Sequence, residues 1–247
     1  MNAEPLAAFD SLAASYDLRW TETAAGMAQR QTVWRHVDPL IRRGDRALDL
    51  GCGTGEDALH LAGLGAAVTA VDASSEMVRR ARGKGVDAYV MWAEEIGNSE
   101  DVYDLILSNF GVLNCVEDLS GLRESLAGAV RPGGHLAICL MGRFCLWETA
   151  YYLVRGKWRK AVRRWFGSTT ALAGLRVYYP TAQEVRQALA PAFELYKDAG
   201  IGICVPPSFV PPLPGRLVSV FSRIDRRHEA GTARFLADHR LLVFRRK

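Results

Sequence analysis

The segment from Ala47 to Asp72 most constrains this chain, because it joins a short apolar strand, a glycine-rich turn, a helix and a second strand. Gly51, Gly53 and Gly55 lack a Cβ and tolerate the positive φ angles of a tight turn, so the backbone there can approach a ligand closely. Asp72 ends the second strand, where a carboxylate can accept hydrogen bonds from both hydroxyls of a ribose. The pattern therefore predicts a βαβ unit that binds a nucleoside.

The charge of the turn indicates which nucleoside compound is bound. Read from Gly53, the turn satisfies G-x-G-x-x-A, a pattern typical of dinucleotide sites. Glu56 and Asp57, however, begin the helix and would repel a pyrophosphate at its N-terminus. Together with Asp49, they favour a cationic ligand without phosphate, such as S-adenosylmethionine. A dinucleotide site remains the alternative.

Two motifs resemble the cofactor motif of class I S-adenosylmethionine-dependent methyltransferases. They are LDLGCGTG at 48–55 and VDASSEMVRRAR at 71–82. The resemblance implies a single domain over residues 1–247 with a Rossmann-like α/β fold. Its seven-stranded, mostly parallel sheet would have the order 3-2-1-4-5-7-6, with helices on both faces and a helical cap. S-adenosylmethionine would be the cofactor and S-adenosylhomocysteine the product.

Strands and helices alternate along the rest of the chain. Further strands are predicted at 86–92, 103–109, 135–141, 193–201 and 239–246. Helices are predicted at 74–82 and 117–131, the second closed by the turn Arg131-Pro-Gly-Gly134. Thr181 and Glu184 form a capping box that begins another helix. Such alternation gives a sheet whose ligand lies beyond the carboxyl ends of its strands.

The resemblance assigns cofactor contacts residue by residue. Asp72 would bind the ribose, and Asp49 would order the glycine turn and help to hold the methionine amino group. Many relatives end strand three with an aspartate, whereas this chain has Trp92-Ala93-Glu94, which leaves Ala93 and Glu94 as the expected adenine contacts. The full predicted set is Tyr16, Asp49, Gly51, Cys52, Gly53, Gly55, Asp72, Ala73, Met77, Ala93, Glu94, Ser108 and Asn109.

The N-terminal sequence carries a second resemblance. Residues 9–17 read F-D-x-x-A-x-x-Y-D, which opens many small-molecule methyltransferases as a helix folded over the cofactor. We therefore expect residues 1–35 to form a helical lid, with Tyr16 near the methionine end of the cofactor or the substrate. The alternative is an amphipathic helix that only packs against the core.

Substrate selection is expected in an insertion at 142–180, which is rich in aromatic and basic residues. Large aromatic side chains can form the wall of a pocket for an apolar or planar acceptor. The predicted substrate contacts are Phe110, Trp147, Glu148 and Tyr151. Glu148, Tyr16 and His36 are candidates for an acid or base, but no catalytic base is identified.

Within this insertion, residues 155–164 read RGKWRKAVRR, with six basic residues and no acidic one. Three interpretations stay open: a solvated helix face, a contact with a membrane surface through 155–166, and nucleic-acid binding. The net charge of +4 does not choose among them. Strand four ends in SNFG at 108–111, without the N/D-P-P-Y/F run typical of enzymes that methylate adenine in nucleic acids, so that class is disfavoured.

The sequence thus predicts methyl transfer to a small hydrophobic or aromatic metabolite by in-line displacement. An RNA- or protein-directed methyltransferase using the basic helix, or a non-catalytic S-adenosylmethionine-binding protein, are the alternatives. Five cysteines without a C-x-x-C pair indicate a reducing compartment and no metal site. The absence of a secretory signal and of a long apolar run predicts a cytoplasmic location. The oligomeric state is not predicted.

Overall fold

The computed structural model describes residues 4–170 and 175–247, in which a seven-stranded sheet forms the centre. The strands are β1 (Arg46–Leu50), β2 (Ala67–Asp72), β3 (Ala88–Val90), β4 (Tyr103–Ser108), β5 (Val130–Met141), β6 (Ser168–Thr170), β7 (Arg176–Tyr178), β8 (Phe193–Ile201) and β9 (His239–Arg246). The sheet order is β3-β2-β1-β4-β5-β9-β8, with β9 antiparallel to both its neighbours. Because β6 and β7 form a separate hairpin, numbering only the sheet strands gives the predicted order 3-2-1-4-5-7-6. The predicted fold class is confirmed.

Helices cover both faces of this sheet. They are α1 (Glu4–Ala13), α2 (Ala24–Val37), α3 (Glu56–Gly63), α4 (Ser75–Gly83), α5 (Arg123–Ala129), α6 (Leu146–Leu153), α7 (Trp158–Ala161), α8 (Ala182–Leu189) and α9 (Gly215–His228). Ser74 caps α4 by accepting a hydrogen bond from the Met77 backbone, and Thr181 and Glu184 form the predicted capping box of α8. None of the helices in the described ranges has the length and apolarity needed to cross a bilayer.

The core consists of two apolar layers, one on each face of the sheet. Leu48 and Ile106 pack on one face with Leu126 of α5. Ala47 and Leu105, one position earlier on the same strands, pack on the other face with α2 and α3. Side chains alternate between faces along a strand, so strands buried on both faces need the continuous apolar sequence that these have. Because β1 to β5 are parallel, their carboxyl ends lie at the same edge of the sheet.

The predicted helix at 117–131 is wrong in extent. Asp118 accepts hydrogen bonds from the backbone and hydroxyl of Ser120, which turns the chain, and α5 begins only at Arg123. The segment Arg131-Pro-Gly-Gly134 does not close a helix. It lies within β5, where the register with β4 shifts between Val130 and His135.

The insertion at 142–180, which we call the cap, contains more than helices. It includes α6, α7 and the antiparallel hairpin of β6 and β7, which the sequence did not reveal. Arg164 joins the cap to β9: its Nη1 donates to the Asp238 carbonyl oxygen at 3.0 Å and its Nη2 to Asp238 Oδ1 at 2.8 Å. The cap is therefore fixed to the sheet by a buried, charge-assisted contact.

Candidate functional site

The carboxyl ends of β1 and β2 place the glycine turn beside Asp72. Gly51 and Cys52 each donate a backbone hydrogen bond to the Val71 carbonyl oxygen, at 2.7 and 2.9 Å. Asp72 accepts from the backbone of Gly53 through Oδ2 at 2.9 Å and from the backbone of Ser74 through Oδ1 at 2.8 Å. Burial raises the pKa of Asp72, although these two hydrogen bonds act in the opposite direction. A carboxylate fixed in this way can still accept from hydroxyl groups of a ligand.

A cavity of about 160 Å³ lies at this edge of the sheet. Ten predicted site residues line it, namely Tyr16, Gly51, Gly53, Asp72, Ala73, Met77, Ala93, Glu94, Asn109 and Phe110. Lining residues that the sequence analysis missed include Phe9, Met91, Trp92, Val112, Cys115 and Leu175. They are mostly apolar, and burial raises the pKa of the Cys115 thiol to about 11, so it is uncharged at neutral pH.

The three glycines of the turn differ in the space around them. Gly51 and Gly55 have φ angles of 81° and 88°, and an added Cβ would lie 2.2 Å from Val112 Cγ2 at Gly51 and 2.8 Å from Val86 Cγ2 at Gly55. At Gly53 the nearest atom, on Tyr16, is 4.0 Å away. Gly53 therefore borders open space where a ligand can approach the backbone, whereas Gly51 and Gly55 are needed for protein packing. Gly55 does not line the cavity.

The acidic residues at the start of α3 are ion-paired, which weakens the charge argument from the sequence at these positions. Asp57 pairs with Arg30 and also accepts from Trp34 Nε1 at 2.6 Å and from Asn109 Nδ2 at 3.1 Å. Glu56 pairs with Lys84 at 2.6 Å. Each of these carboxylates thus has a cationic partner, Arg30 of α2 for Asp57 and Lys84, directly after α4, for Glu56.

Asp49 and Ser108, both predicted cofactor contacts, lie beneath the cavity and do not line it. Burial, reinforced by the nearby Asp57 carboxylate, raises the pKa of Asp49 well above its usual range. Asp49 Oδ2 and Ser108 Oγ are buried without a hydrogen-bond partner among the described residues. Cys52 lies on the other side of the turn and lines a smaller cavity.

This smaller cavity shares Tyr16, Gly53 and Phe110 with the larger one and adds Arg30, which sequence reasoning missed. Arg30 is 8% exposed, and its guanidinium carbon lies 5.0 Å from the centre of the Phe110 ring. Its Nε is buried without an acceptor in the described part of the chain. A buried donor of this kind is costly to leave unpaired, so the geometry suits a bound anion or carbonyl group.

The N-terminal motif closes over the same cavity, and we call residues 9–21 the lid. Phe9 and Tyr16 line the cavity. Asp10 Oδ1 accepts from Ser74 Oγ at 2.5 Å, directly beyond Asp72. Asp17 accepts from Thr54 Oγ1 at 2.5 Å and from Lys84 Nζ at 2.8 Å. The motif residues thus have two roles. Phe9 and Tyr16 line the cavity, and Asp10 and Asp17 attach the lid to the site.

Asp17 and Tyr16 respond differently to burial. Burial works to raise the pKa of Asp17, but the hydrogen bonds from Lys84 and Thr54 outweigh it and hold the pKa below its usual range. Burial raises the pKa of Tyr16, which is therefore a neutral phenol at physiological pH. Tyr16 can donate its hydroxyl proton in a hydrogen bond to a ligand in the cavity.

The predicted contacts in the cap lie outside both cavities. Trp147 Nε1 donates to the Cys204 carbonyl oxygen at 3.0 Å, and the Tyr151 ring lies beneath the Arg155 guanidinium at 3.7 Å. Glu148 is buried and forms ion pairs with Arg163 and Arg164, each at 2.6 Å.

His36, the remaining acid or base candidate, also lies outside the cavities, on α2, with its Nε2 3.1 Å from Glu229 Oε1. Of the three catalytic candidates, Tyr16 alone lines the main cavity.

Comparison with known proteins decides the family. The model of the methyltransferase domain family matches residues 27–192, more than half of the chain. The chain belongs to this methyltransferase family. The match confirms that the chain is a methyltransferase, as the sequence predicts.

Curated relatives and solved structures agree with this assignment. The demethylmenaquinone methyltransferase of Mycobacterium sp. (strain KMS) is 34% identical over 134 residues, which are 53% of this chain and 56% of that protein. The one from Mycobacterium marinum is 34% identical over 154 residues, or 60% of this chain and 65% of that protein. The chain thus spans just over half the length of the first of these relatives.

Among solved structures, the N-methyltransferase NodS from Bradyrhizobium japonicum WM9, in complex with S-adenosylhomocysteine, has a TM-score of 0.62 at 16% identity and covers 98% of both chains. An S-adenosylmethionine-dependent methyltransferase from Mesorhizobium loti has a TM-score of 0.59 at 20% identity and covers 86% of this chain and 97% of its own. These two likenesses support the fold.

Proposed function

We propose that this methyltransferase transfers a methyl group from S-adenosylmethionine, bound in the cavity beside Asp72, to a small apolar or aromatic acceptor. The observation that carries the proposal is the position of Asp72: it ends β2, is anchored by two backbone donors and lines a largely apolar cavity. Carboxylates at this position of an open α/β sheet accept from ribose hydroxyls.

The lining residues fit the three parts of this cofactor. Ala93 and Glu94 follow β3 and provide an edge for the adenine, next to the ribose site at Asp72. Gly53 leaves the backbone open for the methionine chain. Arg30, whose Nε has no acceptor within residues 9–170 and 175–247, lines the adjoining smaller cavity and is the proposed partner of the carboxylate of that chain.

The cofactor supplies an electrophilic sulfonium methyl group. Attack of the acceptor nucleophile on that methyl carbon would break the carbon–sulfur bond and leave its electron pair on sulfur. The protein contributes mainly by holding the acceptor nucleophile in line with the carbon–sulfur bond and by excluding water. Phe110, Val112 and Leu175 provide an apolar wall for that purpose.

The apolar character of this wall favours an acceptor with an apolar or aromatic ring. The curated relatives are named demethylmenaquinone methyltransferases, which supports testing isoprenoid quinols first. The cap supplies Leu175 to the wall and is the part of the structure expected to distinguish among acceptors.

Calorimetric titration with S-adenosylmethionine and S-adenosylhomocysteine tests the cofactor site. We expect saturable binding by the wild-type protein and at least a hundredfold loss in Asp72→Ala, because hydrogen bonds to a charged group contribute about 1.5–3 kcal/mol each. Asp87→Ala, which removes an exposed carboxylate just before the amino end of β3 and outside the cavity, is the control and should bind normally. Equal binding by Asp72→Ala would refute the assignment.

Transfer of a radiolabelled methyl group to candidate acceptors tests the second part of the proposal. Demethylated isoprenoid quinols and simple phenols should be labelled, whereas purified RNA and bulk protein should not. Labelling of RNA or protein alone would show that the acceptor is a macromolecule.

A further inference from the structure

A surface that the methyl-transfer site does not use lies at the tip of the cap. Residues 153–160, which we call the cap tip, read LVRGKWRK and connect α6 to α7. All eight are exposed, and the apolar ones strongly so: Val154 is 80% exposed and Trp158 62%. Isolated exposed apolar residues are common, but three of them beside four cations in one short segment indicate a contact surface.

The charge of the cap tip is not neutralised by any acidic side chain in the described part of the chain. No Asp or Glu occurs between Glu148 and Glu184. Glu148 is buried within the cap and pairs with Arg163 and Arg164, which removes these two cations from the basic run. Arg155, Lys157, Arg159 and Lys160 form no ion pair within residues 9–170 and 175–247. Four cations are therefore available to an anionic partner.

The cap tip is supported by a layer of aromatic rings. Tyr151 and Tyr152 pack against Phe209 from the loop after β8, with ring centres 5.8 and 6.1 Å apart. The Arg155 guanidinium stacks on Tyr151 at 3.7 Å, and Lys160 Nζ lies 5.9 Å from the Tyr152 ring. The exposed apolar and basic side chains of the cap tip therefore lie on a layer of packed aromatic rings.

We infer that the cap tip docks the protein on an anionic membrane surface. Peripheral binding requires apolar side chains that enter the boundary between headgroups and acyl chains together with cations for anionic lipids, and Trp is favoured at that depth. Leu153, Val154 and Trp158 are the apolar side chains of the cap tip. A nucleic acid would use the cations and Trp158 but gives the two aliphatic side chains no favourable environment.

Vesicle co-sedimentation of the full chain tests this inference independently of methyl transfer. We expect binding to vesicles of equal parts phosphatidylglycerol and phosphatidylcholine, and little binding to phosphatidylcholine alone. Lys157→Glu with Arg159→Glu should lower the partition coefficient at least about 25-fold, because each basic residue near an anionic surface contributes roughly fivefold. Trp158→Ala should weaken binding several-fold without a change in charge.

The matched control is Arg42→Glu with Arg43→Glu, which makes the same change in charge at exposed positions before the amino end of β1, at the opposite edge of the sheet from the cap. The partition coefficient of this variant should lie within about twofold of that of wild type, because salt screens charges that lie far from the membrane. Equal losses in both double variants would overturn the inference, because they would show a response to net charge only. A preference for single-stranded RNA over the anionic vesicles would overturn it in favour of a nucleic-acid contact.

Discussion

At the residue scale, Arg30 lines the smaller cavity, where the methionine carboxylate is proposed to bind, and its Nε has no acceptor among the described residues. Replacement by Met keeps the bulk of the side chain and removes the charged donor. We expect the affinity for S-adenosylhomocysteine to fall about 10- to 100-fold, as for one hydrogen bond to a charged group. Calorimetry on Arg30→Met measures the change.

Binding of 5′-methylthioadenosine by the same variant provides the control. This nucleoside has the adenine and ribose but no carboxylate, so its affinity should stay within about twofold of wild type. The Arg30→Met, Asp57→Asn double variant, in which no buried charge is left without its partner, should show the same selectivity. If both ligands lose affinity together, Arg30 has a structural role in place of a carboxylate contact.

A pH dependence follows from Asp72. Its burial raises the pKa above the ordinary value of about 3.9, whereas in the proposed binding mode ribose hydroxyls donate to the ionised carboxylate. The ligand therefore binds the deprotonated form and lowers this pKa, so affinity falls as the pH drops through the pKa of the free protein. We expect 5′-methylthioadenosine to bind equally well around neutral pH and progressively more weakly in mildly acidic buffer.

Calorimetry in two buffers of different ionisation enthalpy should detect proton release on binding in the acidic range. A 2′,3′-dideoxy analogue has no hydroxyls to offer and should show no such release. An affinity that stays level across the pH range in which the protein is folded would place the ribose away from Asp72.

Residues of the site differ in how far the sequence alone reveals them. Asp72 and Gly53 were predicted because their roles follow from a local order of strand, turn and helix. Arg30 was missed because its partner, Asp57, lies 27 positions away and nothing in the sequence of α2 marks the contact. Glu148 was assigned to the site by its neighbours in sequence, whereas its charge is compensated by Arg163 and Arg164 within the cap.

Among the secondary-structure elements, the lid is attached to the site by two acidic side chains, Asp10 and Asp17. Replacing both by Ala removes hydrogen bonds to Ser74 and Thr54 and the ion pair with Lys84 but no residue that lines the cavity. We expect S-adenosylhomocysteine to dissociate about tenfold faster, since each lost hydrogen bond contributes about 0.5–1.5 kcal/mol. Stopped-flow displacement measures the rate.

Glu76→Ala is the control for this prediction, because its side chain pairs with Arg79 on the surface of α4, next to the Asp10 contact. Its dissociation rate should equal that of wild type. An unchanged rate in the Asp10→Ala, Asp17→Ala variant would show that the lid does not limit release of the ligand.

The elements themselves were predictable to different degrees. The bounds of β8 and β9 agree with the sequence prediction at every residue, and in β9 the apolar run at 241–244 stands out between basic residues. The helix predicted at 117–131 was too long, since the turn at Asp118 is made by a side-chain hydrogen bond that periodicity does not register. The hairpin of β6 and β7 has only three residues in each strand, too few to show an alternating pattern.

At the scale of the whole molecule, the cap and the sheet are joined through Arg164, which contacts Glu148 on one side and Asp238 on the other. This connection lies outside the cofactor cavity, so stability and cofactor binding should be separable. Glu148→Gln leaves Arg164 with one carboxylate partner, and breaking a buried ion pair costs about 3 kcal/mol. For a chain of this size we expect the melting temperature to fall by roughly 6–12 °C.

The same variant discriminates between a structural role for Glu148 and the acid or base role that its sequence position suggested. At a temperature where Glu148→Gln is folded, its affinity for S-adenosylhomocysteine and the pH profile of methyl transfer should match those of wild type. Arg143→Gln, which breaks an exposed ion pair between the cap and Glu184, is the control and should change the melting temperature little. A normal melting temperature combined with an altered pH profile would instead mean that Glu148 takes part in the reaction. The cap would then have to move closer to the cavity than it lies when Arg164 is paired with Glu148 and Asp238.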